Sequence, residues 1–375
     1  MSADPVIGVV GLGTMGLGIA QVYAAAGFAV IGFDGHDAAR DNAPVRMRAA
    51  LDQRVAAGKL TVAALDATLA RFSVAEGMQA LAPCALVIEA IVEDLAAKQA
   101  LFAAVEDIVG GQTVLATNTS SLPVAQIAAR LAQPARCLAL HFFNPVPAMK
   151  LVELAPHAGT SALVLSQARR WTEAAGKVVI TCPDRPGFIV NRCARPYYGE
   201  ALALLEEGRG AAEVDAAMVA AGYPLGPFAL IDLIGADINL AATIGLHAAM
   251  GRHPRYHPFG ALRAQVARGD LGRKSGRGFV HPGPPQTPPA DAAAIALRIE
   301  ATLVNEAHWL LAEGGVTADG VDSALRLGLN FPRGPFETLA QYGRAAVLAE
   351  LARLQAAAPP AMKARYLPAP GLELP

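Results

Sequence analysis

The sequence predicts an α/β protein, with a doubly wound sheet in the first half of the chain and a duplicated all-α region after it. Three observations support this fold class. Short apolar runs alternate with helical stretches as far as residue 182, and this strand pattern then ends at a Pro/Gly-rich segment. Beyond it, a set of helical motifs recurs at near-constant spacing. A chain of 375 residues is also too long for one typical core, so we expect two or three domains.

The first half of the chain shows regular alternation of strand and helix patterns. An apolar strand over residues 6–10 ends at Gly11, and a helix over 15–26 is closed by Gly27. A longer helical stretch, interrupted at Gly58, extends from Asp37 to Phe72. Further strands are predicted at 29–33, 85–90, 113–117, 137–140, 150–155 and 177–182, with helices at 95–109 and 124–131. This order is typical of a doubly wound sheet with parallel strands.

The boundaries between domains are marked by proline and glycine. Pro183 and Pro186 flank a break after which the strand patterns disappear, and a second Pro/Gly-rich stretch over 282–289 has the composition of a linker. We therefore predict a sheet domain over 1–183, a helical domain over 184–282 and a second helical copy over 290–358. Residues 359–375 show little helical pattern and are expected to form a loosely ordered tail.

The helical duplication rests on an ordered set of matches. Residues 200–208 align with 306–314, 214–215 with 321–322, 223–228 with 331–336, and Gly235 with Gly343. Alanine-rich helices alone would mimic only the first match, so the constant order indicates a repeated domain. In this alignment Leu297 stands at the position that Asn191 occupies in the first copy.

The composition excludes several classes of function. Lys and Arg number 31 against 32 Asp and Glu, so no overall field favours nucleic acid or an anionic membrane. No apolar run reaches membrane-spanning length, and the segment before Val6 lacks a signal-peptide pattern, so we expect a cytoplasmic protein. The four cysteines, at positions 84, 137, 182 and 193, have no metal-ligand spacing. They are expected to be buried and reduced, and we predict no metal site.

A nucleotide site is predicted at the first strand–helix turn. Residues 11–16 read G-x-G-x-x-G, in which Gly11, Gly13 and Gly16 permit a tight turn, close approach of a pyrophosphate and helix–strand packing. Thr14 and Met15 open the helix, whose N-terminal N–H groups favour phosphate. Asp34 ends the second strand, where a carboxylate accepts hydrogen bonds from ribose hydroxyls and repels a 2′-phosphate. In this Rossmann-type arrangement the carboxylate of Asp34 favours NAD over NADP. The glycine motif by itself is also compatible with FAD.

One histidine stands where ligands bind in such a sheet. His141 follows a buried strand and is therefore expected at the carboxyl edge. Glu153 lies on a separate strand-like segment and can return beside the imidazole. Read alone, this histidine is either a packing residue with a hydrogen bond or a general base.

Several further segments resemble the 3-hydroxyacyl-CoA dehydrogenase family, and the match extends from Val6 to about Phe279. The segments are 89–93 (Glu-Ala-Ile-Val-Glu), 118–122 (Asn-Thr-Ser-Ser-Leu), 141–147 (His-Phe-Phe-Asn-Pro-Val-Pro), 186–192 (Pro-Gly-Phe-Ile-Val-Asn-Arg), 222–228 and 274–279 (Lys-Ser-Gly-Arg-Gly-Phe). The doubled helical region resembles longer bacterial members and multifunctional β-oxidation proteins. The resemblance implies NAD-dependent oxidation of a 3-hydroxyacyl-CoA to the 3-oxoacyl-CoA, in β-oxidation or a related acyl-CoA degradation pathway.

The resemblance also implies catalytic roles for individual residues. His141 is the general base for the 3-hydroxyl, and Glu153 holds the imidazole and balances its charge. Ser120 and Asn191 hydrogen-bond the substrate oxygen. The helical domain over 184–282 thereby completes the active site.

Cofactor and coenzyme A contacts follow from the same resemblance. Glu93, Lys98 and Asn118 are implied near the ribose and nicotinamide half of NAD, and Lys274 matches a lysine that contacts the cofactor. Alternatively, Glu93 and Lys98 form an exposed helical pair and Lys274 is a solvated loop charge. The polar residues that contact coenzyme A in short members are not evident near positions 50 and 57, and Lys59 is the substitute that we assign to a phosphate.

The second helical copy lacks both the asparagine and the Lys-Ser-Gly-x-Gly-Phe ending, so we interpret it as structural. We expect it to pack on the first copy across a pseudo-two-fold axis, either as an internal pseudo-dimer in a monomer or within a homodimer. Two alternative functions are open. One is a Rossmann dehydrogenase of the 3-hydroxyisobutyrate type, which relies on a lysine, and the other is a non-enzymatic, crystallin-like relative. The acyl group of the substrate is also open, from hydroxybutyryl to long-chain or dicarboxylic groups such as hydroxyadipyl.

Overall fold

The computed structural model describes residues 5–372. The chain divides into two compact units, the first ending at Arg185 and the second beginning at Pro186. No single helix in the described part of the chain is long and apolar enough to cross a membrane, although the helices Pro227–Ile234 and Ala236–Ala249, bent by 101°, pass that test as a pair.

The first unit is an eight-stranded sheet flanked by six helices. Its strands are β1 (Val6–Val10), β2 (Val30–Phe33), β3 (Phe72–Val74), β4 (Cys84–Glu89), β5 (Val114–Thr117), β6 (Cys137–Phe142), β7 (Leu151–Pro156) and β8 (Val178–Thr181). The helices are α1 (Thr14–Ala25), α2 (Asp37–Ala56), α3 (Val62–Ala70), α4 (Leu95–Glu106), α5 (Val124–Ala128) and α6 (Ala162–Ala174). The strand order β3-β2-β1-β4-β5-β6-β7-β8 confirms the predicted doubly wound fold.

Two details of this sheet differ from the prediction. Strand β3 was not predicted. It lies at the end of the long helical stretch, and its three residues, none of them buried, form no apolar run. Strand β7 runs antiparallel to β6, whereas we expected parallel strands throughout. The reason is the short connection over residues 143–150, since a parallel crossover needs a dozen residues or more.

The second unit is helical. Its helices are α7 (Val190–Cys193), α8 (Arg195–Glu206), α9 (Ala211–Ala220), α10 (Pro227–Ile234), α11 (Ala236–Ala249), α12 (Gly260–Ala267), α13 (Ala292–Ala312), α14 (Ala318–Leu329), α15 (Pro335–Tyr342) and α16 (Arg344–Ala357). The aligned motifs lie in equivalent elements. Asp215 on α9 accepts hydrogen bonds from the backbone at the start of α10, and Asp322 on α14 does the same at the start of α15.

Reciprocal ion pairs join the two aligned halves of this unit. Arg192 Nε donates to Glu306 (2.7 Å), and its two terminal nitrogens donate to Glu313. At the same offset along the chain, Arg298 Nε donates to Glu200 (2.8 Å) and its terminal nitrogens donate to Glu207. Each half thus supplies an arginine to the glutamates of the other half. This reciprocity is the pattern of a two-fold interface within one chain.

The last residues of the chain join the same interface. Arg365 and Tyr366 bind the buried carboxylate of Glu200, as Arg255 and Tyr256 bind that of Glu306. The expectation of a loosely ordered tail is therefore wrong for residues 359–372, because burial of these polar groups fixes a 3₁₀ helix that has no apolar periodicity. Residues 373–375 lie outside the described residues.

We predict that Arg192→Met and Arg298→Met destabilise the protein to a similar extent. Each substitution removes one of the two arginines that bind a fully buried glutamate, and the lost hydrogen bond to a charged group costs about 2–3 kcal/mol. Calorimetry should show a melting temperature lower by roughly 6 °C for either variant. Arg326→Met removes an exposed pair with Glu337 and is the control, with little change expected. A melting temperature that stays within about 2 °C in both test variants would contradict the proposed weight of these contacts.

Candidate functional site

The glycine-rich turn between β1 and α1 has the geometry of a phosphate cradle. Gly11 adopts a φ of +92°, and a Cβ at this position would lie 2.6 Å from the carbonyl oxygen of Ala90. A Cβ on Gly16 would lie 1.7 Å from the carbonyl oxygen of Gly11, so α1 packs against the turn only without a side chain there. A Cβ on Gly13 would have no neighbour within 4 Å, which leaves open space over the turn.

Helix α1 starts at this open space. Its N-cap, Gly13, supplies no side-chain hydrogen bond, and Thr14 and Met15 form its first turn. Uncapped N–H groups at a helix N-terminus attract phosphate. Asp34 stands at the end of β2, where its carboxylate accepts hydrogen bonds from the backbone N–H of Leu12 (2.7 Å) and His36 (2.9 Å). An open turn, an uncapped helix and a fixed carboxylate at the next strand together fit a dinucleotide such as NAD.

A histidine–glutamate pair lies at the ends of the neighbouring strands β6 and β7. His141 and Glu153 occupy directly opposed positions in the antiparallel register, and Nδ1 of the imidazole lies 2.7 Å from Glu153 Oε2. Glu153 is fully buried and His141 is 7% exposed. A buried carboxylate in this position orients the imidazole. The arrangement therefore suits a general base.

The loop after β5 is held beside this pair by hydrogen bonds. Asn118 Oδ1 accepts the backbone N–H of Phe142 at the end of β6 (2.9 Å). Glu93 Oε1 accepts hydrogen bonds from the Thr119 hydroxyl (2.6 Å), from the backbone N–H of Ser120 (3.0 Å) and from Ser121. The carboxylate of Glu93 thus fixes the backbone of the loop that carries Ser120.

A buried lysine connects Glu93 to the sheet. Lys98 Nζ donates to Glu89 Oε1 (2.5 Å) and lies 3.3 Å from Glu93 Oε2. Because Lys98 is 1% exposed, the alternative of an exposed helical pair is wrong. Glu89 also accepts hydrogen bonds from Thr117 Oγ1 and from the backbone N–H of Ile91, so its buried charge is compensated.

This environment shifts the titration of Glu93. Partial burial alone would raise the pKa of its carboxyl. Hydrogen bonds from Thr119, Ser121 and Ser120 and the charge of Lys98 outweigh that effect, and the pKa is lowered. The carboxylate is therefore ionised at neutral pH and keeps its acceptor role in the loop.

Three predicted site residues lie on other elements. Asn191 lies half-buried on α7 of the helical unit. Lys274 is exposed and its Nζ donates to Asp237 Oδ2 (2.7 Å). Lys59 is exposed in the turn between α2 and α3. The four cysteines are buried and free, and no cluster of metal-ligating side chains occurs among residues 5–372.

Two residues that organise the site escaped the sequence analysis. Glu89 and Thr119 hold Lys98 and Glu93 in place, but neither was predicted as a site residue, since both occur only within longer motifs. One signal was available for Glu89. It is an acidic residue directly at the end of an apolar strand, and a buried carboxylate there requires a cationic partner nearby.

Two family models match most of the chain. The model described as the NAD-binding domain of 3-hydroxyacyl-CoA dehydrogenase matches residues 6–185, and that of the C-terminal domain matches residues 187–281 and 295–370. Among curated relatives, the 3-hydroxyadipyl-CoA dehydrogenase of Escherichia coli is 45% identical over 274 residues, which are 72% of this chain and 58% of that protein. The 3-hydroxybutyryl-CoA dehydrogenase of Mycobacterium tuberculosis is 40% identical over 73% of this chain and 96% of its own length.

Two solved structures of 3-hydroxybutyryl-CoA dehydrogenases match this chain over different lengths. The 3-hydroxybutyryl-CoA dehydrogenase from Escherichia coli covers 99% of this chain and 98% of its own, with a TM-score of 0.92 and 32% identity. The (S)-3-hydroxybutyryl-CoA dehydrogenase from Ralstonia eutropha covers 74% of this chain and 98% of its own, with a TM-score of 0.71 and 37% identity. The shorter match leaves a quarter of this chain uncovered, whereas the longer one extends over both aligned helical segments.

Replacement of Glu93 by glutamine tests the role of this carboxylate. The lowered pKa means that ionised Glu93 stabilises the fold above the unfolded pKa of about 4.3, and that this contribution is lost as pH falls through the folded value. We expect Glu93→Gln to lower stability by about 1 kcal/mol at pH 7, a small effect because the side chain is 38% exposed and screened by solvent.

The check is urea unfolding of both proteins between pH 3 and 8, where the difference should shrink below about pH 4. A difference that is constant with pH would show that charge is not involved.

Proposed function

The chain belongs to the 3-hydroxyacyl-CoA dehydrogenase family, and from this premise we propose that it catalyses the reversible NAD-dependent oxidation of an (S)-3-hydroxyacyl-CoA to the 3-oxoacyl-CoA. The observation that carries the proposal is the buried His141–Glu153 pair at the carboxyl edge of a sheet that also bears the dinucleotide turn. Because the first of the curated relatives is matched over only 58% of its length, activity and substrate are argued from this chain's own residues.

The chemistry of the pair is proton transfer. Glu153 occupies Nδ1 of His141, so Nε2 is the nitrogen that we assign to take the proton from the 3-hydroxyl. Glu153 fixes the ring and balances the charge that the imidazole gains. NAD, when bound, supplies the acceptor for the hydride that leaves C3. In the reverse direction the same imidazole returns its proton to the 3-oxo oxygen.

The polar residues of the site position the substrate and the cofactor. Ser120, on the loop that Glu93 fixes, and Asn191, on α7, are proposed to hydrogen-bond the oxygen on C3. Gly11, Gly13 and Gly16 with Asp34 would hold the pyrophosphate and adenosine ribose of NAD. Glu93, Asn118 and Lys274 keep their proposed cofactor roles. Lys98 would act mainly through Glu93, which it neutralises.

The two alternative functions have less support from the same residues. A dehydrogenase of the 3-hydroxyisobutyrate type needs a catalytic lysine, and the buried Lys98 is already paired with Glu89. A non-enzymatic relative would have no use for a fully buried glutamate held against a histidine, since burial of a charge costs stability unless it is paired.

The proposal is less specific about the acyl group, the coenzyme A contacts and the location in the cell. The relatives are named for 3-hydroxyadipyl-CoA or 3-hydroxybutyryl-CoA, so short acyl groups are the first to test. Lys59 is exposed, as a contact for a coenzyme A phosphate must be. We keep the cytoplasm as the proposed location, which four buried free thiols support.

We also infer that residues 295–370 are a second copy of the helical domain and that the two copies form an internal pseudo-dimer. The match of one family model to both segments and the reciprocal Arg192 and Arg298 pairs support the inference. Leu297 takes the place of Asn191 in the second copy, and its side chain offers no hydrogen bond to a substrate oxygen.

The first prediction from this proposal concerns His141. Oxidation of NADH by purified protein with acetoacetyl-CoA should be rapid, and His141→Ala should lower kcat by a factor of about 100 or more, because proton transfer by a positioned base contributes that much. Glu153→Gln should also lower kcat. Glu173→Gln, in an exposed pair on α6, is the matched control. The assignment of the base is wrong if His141→Ala turns over at the wild-type rate.

A second prediction concerns assembly. If the second helical copy replaces a partner subunit, the protein should be a monomer of 38.7 kDa by light scattering. A dimer that forms through the first helical copy would contradict the internal pseudo-dimer.

A further inference from the structure

The helical unit holds a buried arginine without a counter-ion. The guanidinium of Arg195 is 7% exposed, and no carboxylate lies within 4 Å of it in residues 5–372. Its Nε donates to the carbonyl oxygen of Asn191 (3.0 Å), and its Nη1 donates to Thr243 Oγ1 (3.0 Å). Burial lowers the pKa of Arg195, as expected for a cation whose charge is not matched. The ring of Tyr198, 4.9 Å from Arg195 Cζ, supplies a cation–π contact, but no carboxylate of the described residues matches the buried charge.

The neighbouring side chain is also unsatisfied. Asn239 is 2% exposed, and neither its Oδ1 nor its Nδ2 has a hydrogen-bond partner in the described part of the chain. Its backbone carbonyl lies 3.5 Å from Arg195 Nη1 and accepts the hydroxyl of Thr243 (2.8 Å). Arg195 of α8 thus contacts the backbone of α11 at Asn239, whose own buried amide has no hydrogen-bond partner in the described residues.

The duplication shows that the fold does not need this polar cluster. With the same offset that relates Arg192 to Arg298, Arg195 corresponds to Ala301. Helices α11 and α16 follow the aligned Gly235 and Gly343, so Asn239 and Thr243 correspond to Val347 and Leu351. These three residues of the second copy, Ala301, Val347 and Leu351, are fully buried in one apolar cluster. The same place in the fold is thus filled by hydrocarbon in one copy and by unpaired polar groups in the other.

The polar version occurs in the copy that carries Asn191. Arg192, the other arginine near this asparagine, is neutralised by Glu306 and Glu313 and is not available to an anion. Arg195 has no such counter-ion among the described residues, and it lies one helical turn from Asn191, a rise of about 6 Å for four residues. We propose that Arg195, with the amide of Asn239, binds the terminal carboxylate of a dicarboxylic 3-hydroxyacyl-CoA.

The proposal rests on the proposed function, in which Asn191 contacts the oxygen on C3. An arginine one turn away then suits a carboxylate three carbon–carbon bonds beyond C3, as in a six-carbon dicarboxylic chain. Arg195 would supply charge-assisted hydrogen bonds, and Asn239 Nδ2 would supply a further donor. An acyl chain that ends in a methyl group would leave these groups unpaired and would be discriminated against.

The test compares two substrates of equal chain length. The probes are 3-hydroxyadipyl-CoA, which ends in a carboxylate, and 3-hydroxyhexanoyl-CoA, which ends in a methyl group. The measured quantity is the ratio of kcat/KM for the first probe to that for the second, with NAD as the acceptor. Wild type should favour the carboxylate, and Arg195→Met should lower the ratio by about 50-fold, the usual weight of a hydrogen bond to a charged group.

A second variant protects the test against misfolding. Asn239→Asp keeps the side-chain size and leaves Arg195 in place, yet gives it an internal counter-ion, so the ratio should fall here as well. Arg326→Met on the exposed surface of α14 is the matched control and should leave the ratio unchanged.

Two results would overturn the inference. A wild type that oxidises 3-hydroxyhexanoyl-CoA at least as well as 3-hydroxyadipyl-CoA, or a ratio that neither variant changes, leaves the proposed function intact and makes Arg195 a structural residue. Absence of turnover with both probes and with acetoacetyl-CoA would instead overturn the proposed function, and the inference with it.

Discussion

The antiparallel pairing of β7 with β6 is the constraint on which the catalytic geometry depends. It sets His141 directly opposite Glu153, so that both side chains leave the same face of the sheet at hydrogen-bond distance. A register shift of one residue would turn one of them to the other face. Two flanking pairings hold the register, β5 with β6 and β7 with β8, and residues on both strands are buried. His141, the proposed base, is thus positioned by backbone pairing rather than by a loop.

Buried charge occurs in both units, and each unit neutralises it differently. In the sheet unit, Lys98 compensates both Glu89 and Glu93, and Glu93 in turn fixes the loop that carries Ser120. In the helical unit, Arg192 and Arg298 cross between the aligned halves. Such pairs contribute little net stability compared with apolar packing, but they tolerate no missing partner. They therefore specify which surfaces meet.

Patterns of apolar residues and turn signals were sufficient to predict a doubly wound sheet and the glycine-rich turn between β1 and α1, because these patterns are local in the sequence. The direction of β7, the edge strand β3 and the packed C-terminal segment were not predictable, since each is decided by contacts with distant residues such as those of Arg365 with Glu200. His141 and Glu153 were predicted as a pair, whereas the burial of Lys98 was not predicted. The position of Glu89 at the end of an apolar strand was the one sign that this carboxylate has a cationic partner. Side-chain burial of this kind follows from tertiary packing.

The two aligned helical segments, which we infer to be copies of one domain, can be compared position by position. The Arg–Glu pairs that join the two segments occur in both of them, as at Glu200 and Glu306. Residues that act on a ligand need to be present only once, so a polar residue of the first segment whose counterpart is apolar is a candidate for that role. Asn191 against Leu297 and Arg195 against Ala301 are two such differences, on adjacent turns of equivalent helices. Since the apolar residues at these positions in the second copy pack without loss of the fold, stability alone does not account for the polar ones. Their chemistry is then best explained by a substrate that carries a carbonyl oxygen near one end of the acyl group and a negative charge at the other.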